Sequence, residues 1–337
     1  MRKFLALTLI AVMGLSVIGF TQDLGTRDNP IIWIFPPSTS PGVIETIATS
    51  IAADISVATG LFIEVSVMPD YAALIEAFKA ADGNLMGVPT TDQYARISTE
   101  TNFETTPRLA ASRYGFNYYY ASIYAWRDSG INSLADLDGK FWIYNDEGST
   151  SGYVFPNMLF EQMGLTFAGI VKTGGHTNSI TALLDKQGDF CTSYGSPPVP
   201  PSGWEGPSWD YGMDPEMWLW DHYNNAIYAE GFYGYCVDVR GAAAATELYG
   251  TLDSIIQNIG VVGTIGPVPN DCIAFCPNFP EATADILVDA ITAHIATDDG
   301  AALWGDPEFY EWTDVSPIDD SYYVNYRSLV GLPNPGE

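Results

Sequence analysis

A run of small hydroxyl residues stands where a predicted strand meets a predicted helix. The run is Ser149-Thr150-Ser151-Gly152, between a strand at Lys140–Tyr144 and a helix at Tyr153–Met163. The start of a helix presents unpaired backbone N–H groups and a partial positive charge, and Ser and Thr hydroxyls add further donors. Such a turn can hold an oxyanion without any Lys or Arg.

Three other motifs can be compared with these residues, and two of them are excluded. An ordinary N-cap by Ser149 or Ser151 remains an alternative. A Walker phosphate loop is excluded because the Gly-Lys-Ser/Thr ending is missing, and a nucleophile elbow because Thr150 stands where that motif requires Ser. No nucleophile and base stand at a known motif spacing. We therefore expect a binding protein and not an enzyme, with no cofactor and no bound metal.

The elements that must position this run alternate between strand and helix. Apolar patterns predict a strand at Ile31–Phe35, a helix at Val43–Thr59, a strand at Phe62–Val67 and a helix at Tyr71–Ala81. A second cycle has a short helix at Leu134–Leu137 followed by the strand and helix around Ser149. This alternation is typical of α/β proteins with parallel sheets.

A change in composition follows the second cycle. Residues 196–235 are rich in Pro, Gly, Trp and Tyr, which predicts an ordered, loop-rich insertion, since disordered segments normally lack aromatic residues. Beyond it the patterns predict helices at Thr246–Ile259, Ala282–Ala296 and Tyr322–Leu329, and a strand at Asp271–Phe275.

The overall composition excludes several classes of function. The chain has 337 residues, 41 acidic and 13 basic side chains, a net charge of −28 and 47% hydrophobic residues. It is too apolar for a disordered acidic tail and too acidic for a nucleic-acid-binding protein. Its length predicts two domains, each with its own core. We interpret the excess negative charge as a property of the outer surface.

The N-terminus has the pattern of an export signal. Arg2 and Lys3 precede the apolar run Phe4–Ile18, so we predict a signal peptide at residues 1–21. The run is also nearly long enough to remain as a membrane anchor. In either case we expect the protein to work outside the cytoplasm, in the periplasm or at the cell surface. Structural cysteines, bridged or simply buried, are therefore expected at positions 191, 236, 272 and 276.

An ordered set of motifs covers most of residues 30–330, and its most specific part is Ser149-Thr150-Ser151-Gly152-Tyr153 followed by Pro156. The other segments of the set are Pro69–Ala77, Ile131–Lys140, Gly175-His176, Val268–Asp271, Asp298–Gly300 and Asp319-Asp320. In this order the motifs resemble a known family, the PhnD-like phosphate-, phosphite- and phosphonate-binding proteins of ABC importers.

The resemblance implies a two-lobed type II periplasmic binding protein fold of the α/β class, in which each lobe is a mainly parallel sheet flanked by helices. Lobe I would consist of residues 30–127 plus 272–337, and lobe II of residues 128–271. Two crossover strands, near Tyr120–Trp126 and Asp271–Phe275, would form the hinge.

The resemblance also implies the site and its use. Lobe closure would trap a small phosphorus oxyanion, and a membrane permease would receive it from a monomeric protein. Ser149, Thr150, Ser151 and the amides from Gly152 onward would grip the anion. The resemblance adds Tyr71, one of Tyr119 and Tyr120, His176 and Asn270 to the site.

Two departures from the family pattern and two alternatives remain. Thr177 stands where many relatives have Asp, and Phe190–Tyr194 lacks the carboxylates that receive an ammonium group in aminophosphonate-binding relatives. An ammonium pocket is therefore in doubt. A ligand-sensing subunit of a signalling system, or a binding protein for another oxyanion such as a sulfonate, are the alternative functions.

Overall fold

The computed structural model describes residues 23–199, Trp209 and residues 238–337. Its strands form two sheets, and in chain order they are β1 (Ile31–Phe35), β2 (Ile63–Val67), β3 (Leu85–Gly87), β4 (Thr106–Ser112), β5 (Tyr118–Trp126), β6 (Phe141–Tyr144), β7 (Gly169–Lys172), β8 (Phe190–Gly195), β9 (Ile259–Pro269), β10 (Cys272–Phe275) and β11 (Asp314–Pro317). The α-helices are α1 (Pro41–Thr59), α2 (Tyr71–Ala80), α3 (Thr91–Glu100), α4 (Phe155–Met163), α5 (His176–Leu184), α6 (Val239–Ala245), α7 (Leu252–Asn258), α8 (Glu281–Ile295), α9 (Asp298–Trp304) and α10 (Val324–Leu329). Short 3₁₀ turns lie at Leu134–Leu137 and Asp320–Tyr323, and a π-helical turn at Thr150–Val154 leads into α4.

The first sheet has six strands in the order β11-β4-β10-β3-β1-β2. β1 pairs in parallel with both β2 and β3, as the strand–helix alternation predicts. β10 is antiparallel to β3 and β4, and β11 is antiparallel to β4. The sheet is therefore mixed.

The second sheet has five strands in the order β7-β6-β8-β5-β9. β6 pairs in parallel with β7 and β8, whereas β5 is antiparallel to β8 and β9. Helices pack against both sheets, so the predicted α/β class is confirmed. The sheets are less parallel than expected because β5 and β10, which enter from the other sheet, run against their neighbours, and β11 also runs against β4.

The chain passes between the sheets at two short segments. The first, residues 113–117, joins β4 to β5, and the second, Asn270-Asp271, joins β9 to β10. The expected crossover strand Tyr120–Trp126 lies within β5 and pairs along its length with β8 and β9. By strand pairing, the boundary between the sheets therefore falls before Tyr118 and not after residue 127.

Helix α1 shows how local sequence sets the elements around the first sheet. Pro41 opens the helix, where a missing N–H costs nothing, and Gly60 ends it in the left-handed conformation with φ 75°. Its apolar face packs into the core of this sheet through Ile44, Ala48, Ile51, Ala52 and Ile55. By length and composition alone α1 is also apolar enough to cross a membrane, but so are core helices of this kind.

One predicted helix is shorter in the structure, and other predictions concern residues that the structure does not describe. The helix predicted at Thr246–Ile259 is shorter, because Thr246–Thr251 forms turns and α7 occupies only Leu252–Asn258. Cys191, Cys272 and Cys276 are buried free thiols. The signal peptide, Cys236 and most of the insertion lie outside the described residues.

Candidate functional site

The predicted hydroxyl run lines a small cavity between the two sheets, with a volume of about 50 Å³. At roughly 10 to 15 Å³ for each enclosed water, this is room for a ligand of only a few heavy atoms. The cavity wall comes from both sheets, and its residues are Ser38, Thr39, Thr90, Arg113, Tyr119, Ser149, Thr150, Ser151, His176, Tyr194, Ser196, Asp271, Phe309 and Tyr310.

Several parts of this wall follow the carboxyl ends of parallel strands. Ser38 and Thr39 follow β1, Thr90 follows β3, and the run at 149–151 follows β6. In open α/β sheets these ends meet at the crevice where ligands bind, and helices starting there direct their N-termini into it. The fold therefore gathers hydroxyl groups and helix N-termini around one small volume.

The turn at Thr150–Val154 holds the hydroxyl run in a tight conformation. The backbone N–H groups of Tyr153 and Val154 both donate to the carbonyl oxygen of Ser149 at 3.0 Å, and the N–H of Gly152 donates to its hydroxyl oxygen at 3.1 Å. A Cβ atom on Gly152 would lie 1.7 Å from Oδ1 of the buried Asn145. Only glycine fits this position without displacing Asn145.

His176, a residue of the cavity wall, links two serine hydroxyls. Its Nε2 atom lies 3.3 Å from the Ser149 hydroxyl oxygen, and its Nδ1 atom lies 2.7 Å from that of Ser193. Burial lowers the pKa of His176 to about 3, and the nearby Arg113 charge acts in the same direction. The ring is thus neutral at physiological pH, so it orients the two hydroxyls and does not attract an anion by charge.

Other hydroxyls of the wall are available to a ligand. Within the described part of the chain, the Thr90 and Ser196 hydroxyl oxygens are buried and have no hydrogen-bond partner. Ser151 is also buried, and its side chain forms no hydrogen bond to a described residue. Because an unsatisfied buried hydroxyl costs stability, such groups at a cavity are suited to donate to a bound oxyanion.

A buried cation completes the wall. Arg113 donates from Nη2 to Asp271 Oδ2 at 2.8 Å, from Nη1 to Asn270 Oδ1 at 3.2 Å and from Nε to the Tyr310 carbonyl oxygen at 3.0 Å. Arg113 belongs to the first segment between the sheets, and Asn270 and Asp271 form the second. The ion pair therefore fastens the two crossings together beside the cavity.

A family model now identifies the chain. The model, described as the periplasmic substrate-binding protein of phosphonate ABC transporters, matches residues 34–323. The chain belongs to this family. Its members are extracytoplasmic transport proteins with a small ligand and a membrane permease as partners, so the resemblance inferred from the motifs is confirmed.

Solved structures support the fold of this phosphonate-binding family. A binding protein component of an ABC phosphonate transporter from Pseudomonas aeruginosa is similar with TM-score 0.63 and 16% identity, covering 89% of this chain and 85% of the other. A PhnD protein from Prochlorococcus marinus in complex with methylphosphonate gives TM-score 0.60 and 13% identity, covering 89% and 97%. The expected type II fold is therefore confirmed. No curated protein sequence matches this chain significantly.

The structure separates the predicted site residues into two groups. Those that line the cavity are Tyr119, Ser149, Thr150, Ser151 and His176. The others, Tyr71, Tyr120, Gly152 and Asn270, are not part of its wall and instead support it.

Each supporting residue has an identifiable contact. The Tyr71 hydroxyl donates to the Ser38 hydroxyl oxygen at 3.2 Å, and burial raises its pKa far above the usual range. The Tyr120 hydroxyl donates to the Ser196 carbonyl oxygen at 2.7 Å, and of the two tyrosines it is Tyr119 that lines the cavity. Asn270 is fully buried and accepts from Arg113.

Sequence reasoning missed the wall residues of the first sheet and of the crossings. Ser38, Thr39 and Thr90 carried the same signal as the 149–151 run, hydroxyl residues between a strand and a helix. Asp271 lies in a segment that the sequence motifs included, but its pairing with Arg113 gave no local signal, because it spans 158 positions of the chain. Among the described residues, no three His, Cys, Asp or Glu side chains gather as metal ligands.

Proposed function

We propose that this protein captures a small phosphorus oxyanion, namely a phosphonate, phosphite or phosphate, in the cavity between its sheets and delivers it to an ABC permease. The observation that carries the proposal is the small cavity between the sheets, lined by the 149–151 hydroxyls and by the unpartnered hydroxyls of Thr90 and Ser196. Membership of the phosphonate-binding family supports the ligand class.

Oriented donors account for anion capture by a strongly acidic protein. With a net charge of −28, the long-range field opposes the approach of an anion. The attraction must therefore come from short-range groups such as hydroxyls and helix N-termini. A hydrogen bond to a charged ligand is worth about 1.5 to 3 kcal/mol, and exclusion of water strengthens it.

Contacts across the cavity support a mechanism of lobe closure. The His176 backbone N–H donates to the Ser38 carbonyl oxygen at 2.8 Å, and the Asn145 side-chain amide lies 3.4 Å from the Tyr71 hydroxyl oxygen. Each contact joins an element of one sheet to an element of the other. We propose that the lobes are built on the two sheets and hinge at residues 113–117 and at Asn270-Asp271.

Calorimetry on the purified protein tests the ligand class. We expect binding of one or more of phosphate, phosphite, methylphosphonate and aminoethylphosphonate, and no binding of taurine. Binding of taurine alone would instead support the sulfonate alternative. If none of the phosphorus oxyanions binds, the proposed function is wrong.

A further inference from the structure

One group in the cavity wall can only accept hydrogen bonds, whereas the hydroxyl groups around it can donate them. Asp271 is 7% exposed, and its carboxylate is the only one among the described residues that line the cavity. An ionised carboxylate only accepts hydrogen bonds. A ligand that fills this cavity contacts the residues of its wall, and Asp271 is one of them.

The position of the Asp271 carboxylate is fixed by its ion pair. Arg113 donates from Nη2 to Oδ2 at 2.8 Å, and two further hydrogen bonds hold the guanidinium group. No described residue donates a side-chain hydrogen bond to Asp271 Oδ1. The pair is neutral as a whole, so Arg113 offsets the carboxylate charge and leaves one oxygen atom as an unused acceptor.

A tetrahedral anion without a proton meets repulsion at this oxygen atom. An anion that carries one O–H group can instead donate to it, and such charge-assisted bonds are short and strong. We propose that Asp271 accepts a hydrogen bond from a protonated ligand oxygen and thereby selects a monoprotonated oxyanion. This inference rests on the proposed function and specifies which ionised form of the ligand the site takes.

Selection of a monoprotonated oxyanion would separate phosphorus oxyanions from sulfur oxyanions. Phosphonates and phosphate retain an O–H group near neutral pH and phosphite retains one in mild acid, whereas sulfonates and sulfate have none. Asp271 would therefore be a specificity residue that rejects sulfur oxyanions of the same shape and size. A buried acceptor left without a donor costs about 1 to 3 kcal/mol, which corresponds to roughly a fivefold to 150-fold loss of affinity.

The titratable groups around Asp271 and its partner Arg113 leave a clear pH window for a test. They lie on several elements and comprise Tyr71, Arg113, Tyr119, His176, Cys272, Tyr310, Glu311, Tyr322 and Tyr323. Burial raises the pKa of each of these tyrosines and of the thiol, and it lowers the pKa of His176 to about 3. Burial raises the pKa of Glu311 to about 8. Between about pH 5.5 and 7, these shifted groups keep their charge state, so a change in affinity reports the ligand.

The first experiment compares methylphosphonate with methanesulfonate by calorimetry on the wild type, Asp271→Asn and Glu311→Gln. The asparagine amide would keep an oxygen acceptor for Arg113 and could donate to a ligand oxygen. We expect the wild type to prefer methylphosphonate, and Asp271→Asn to reduce that preference at least about tenfold. Glu311→Gln removes a neighbouring buried carboxyl group that is not in the wall, so it should keep the wild-type preference.

A second experiment needs no variant and stays informative if Asp271→Asn does not fold. The second ionisation of phosphite falls in the pH window above, so wild-type affinity for phosphite should decrease as the pH rises from about 5.5 to 7. An unchanged or rising affinity would contradict the proposal.

The possible outcomes distinguish this inference from the function on which it rests. Binding of phosphorus oxyanions with the same selectivity in folded Asp271→Asn as in the wild type would overturn the role of Asp271 and leave the function standing. Failure of the wild type to bind any phosphorus oxyanion would overturn both.

Discussion

The backbone N–H of Asp92 donates a hydrogen bond of 3.0 Å to the Thr150 hydroxyl oxygen, from the first sheet's helix α3 to the turn that follows β6. Asp92 is the second residue of α3, so its N–H has no partner within the helix. Thr150 therefore caps a helix that belongs to the first sheet while it lines the cavity. In the proposed function, this one hydroxyl group would connect lobe closure with the ligand site.

The double role of Thr150 predicts a loss of both stability and affinity in Thr150→Val. Valine has a similar shape but no acceptor, so it leaves the buried Asp92 N–H unpaired at a cost of about 1 to 3 kcal/mol. Chemical denaturation without ligand should show this loss, and calorimetry should show weaker oxyanion binding. Thr150→Ser is the matched control and should retain most of both. Equal free energies of unfolding for the Val and Ser variants would contradict this role.

Ser151 provides a contrast, because its hydroxyl makes no hydrogen bond to a described residue. We expect Ser151→Ala to leave the free energy of unfolding nearly unchanged. Its affinity for an identified oxyanion should fall by about 1.5 to 3 kcal/mol, the worth of one charge-assisted bond. Calorimetry measures the affinity and denaturation the stability. An undiminished affinity would remove Ser151 from the site.

The sequence predicted those elements whose pattern is local. The alternation from Ile31 to Ala81 repeats at strand and helix periods, and the structure confirms it there. The hydroxyl run at 149–151 was also visible, because a strand and a helix bracket it. The Arg113–Asp271 ion pair was not, because it forms only when two distant crossings of the chain come together. One part of the cavity wall can therefore be predicted from local sequence, and the other part depends on tertiary contacts.

Gly152→Ala should destabilise the turn that carries the hydroxyl run. The added Cβ would overlap Oδ1 of Asn145, and overpacking of this kind costs about 1 to 3 kcal/mol or more. The matched control is Gly241→Ala in α6, where a Cβ meets no atom within 4 Å. Alanine favours a helix more than glycine does, so the control should be neutral or slightly stabilising. Thermal unfolding of both variants would show whether the close approach at Gly152 matters.

Because the His176 imidazole is buried and neutral, we expect the protein to lose stability in mild acid. Burial lowers its folded-state pKa to about 3, whereas the unfolded chain has the ordinary value near 6.5. Its contribution is thus fully present above about pH 6.5 and decreases as the pH falls towards 3, by about 1.4 kcal/mol per unit. Between about pH 6.5 and 5 the free energy of unfolding should therefore fall more steeply for the wild type than for His176→Gln. Parallel curves for the two proteins would contradict a buried neutral imidazole.

The buried Glu311 carboxyl group has the opposite effect, because it should lower the free energy of unfolding as the pH rises towards 8. Burial raises its folded-state pKa to about 8, although the Arg113 charge acts against this shift. Its contribution to stability is fully present below the unfolded value of 4.5 and is lost as the pH rises through 8, because the unfolded chain ionises more readily. Glu311→Gln removes this ionisation and should be increasingly more stable than the wild type between about pH 6 and 8, by about 1.4 kcal/mol per unit. Denaturant unfolding at three pH values in this range measures the difference. A constant difference would mean that the Glu311 carboxyl group is already ionised in the folded protein.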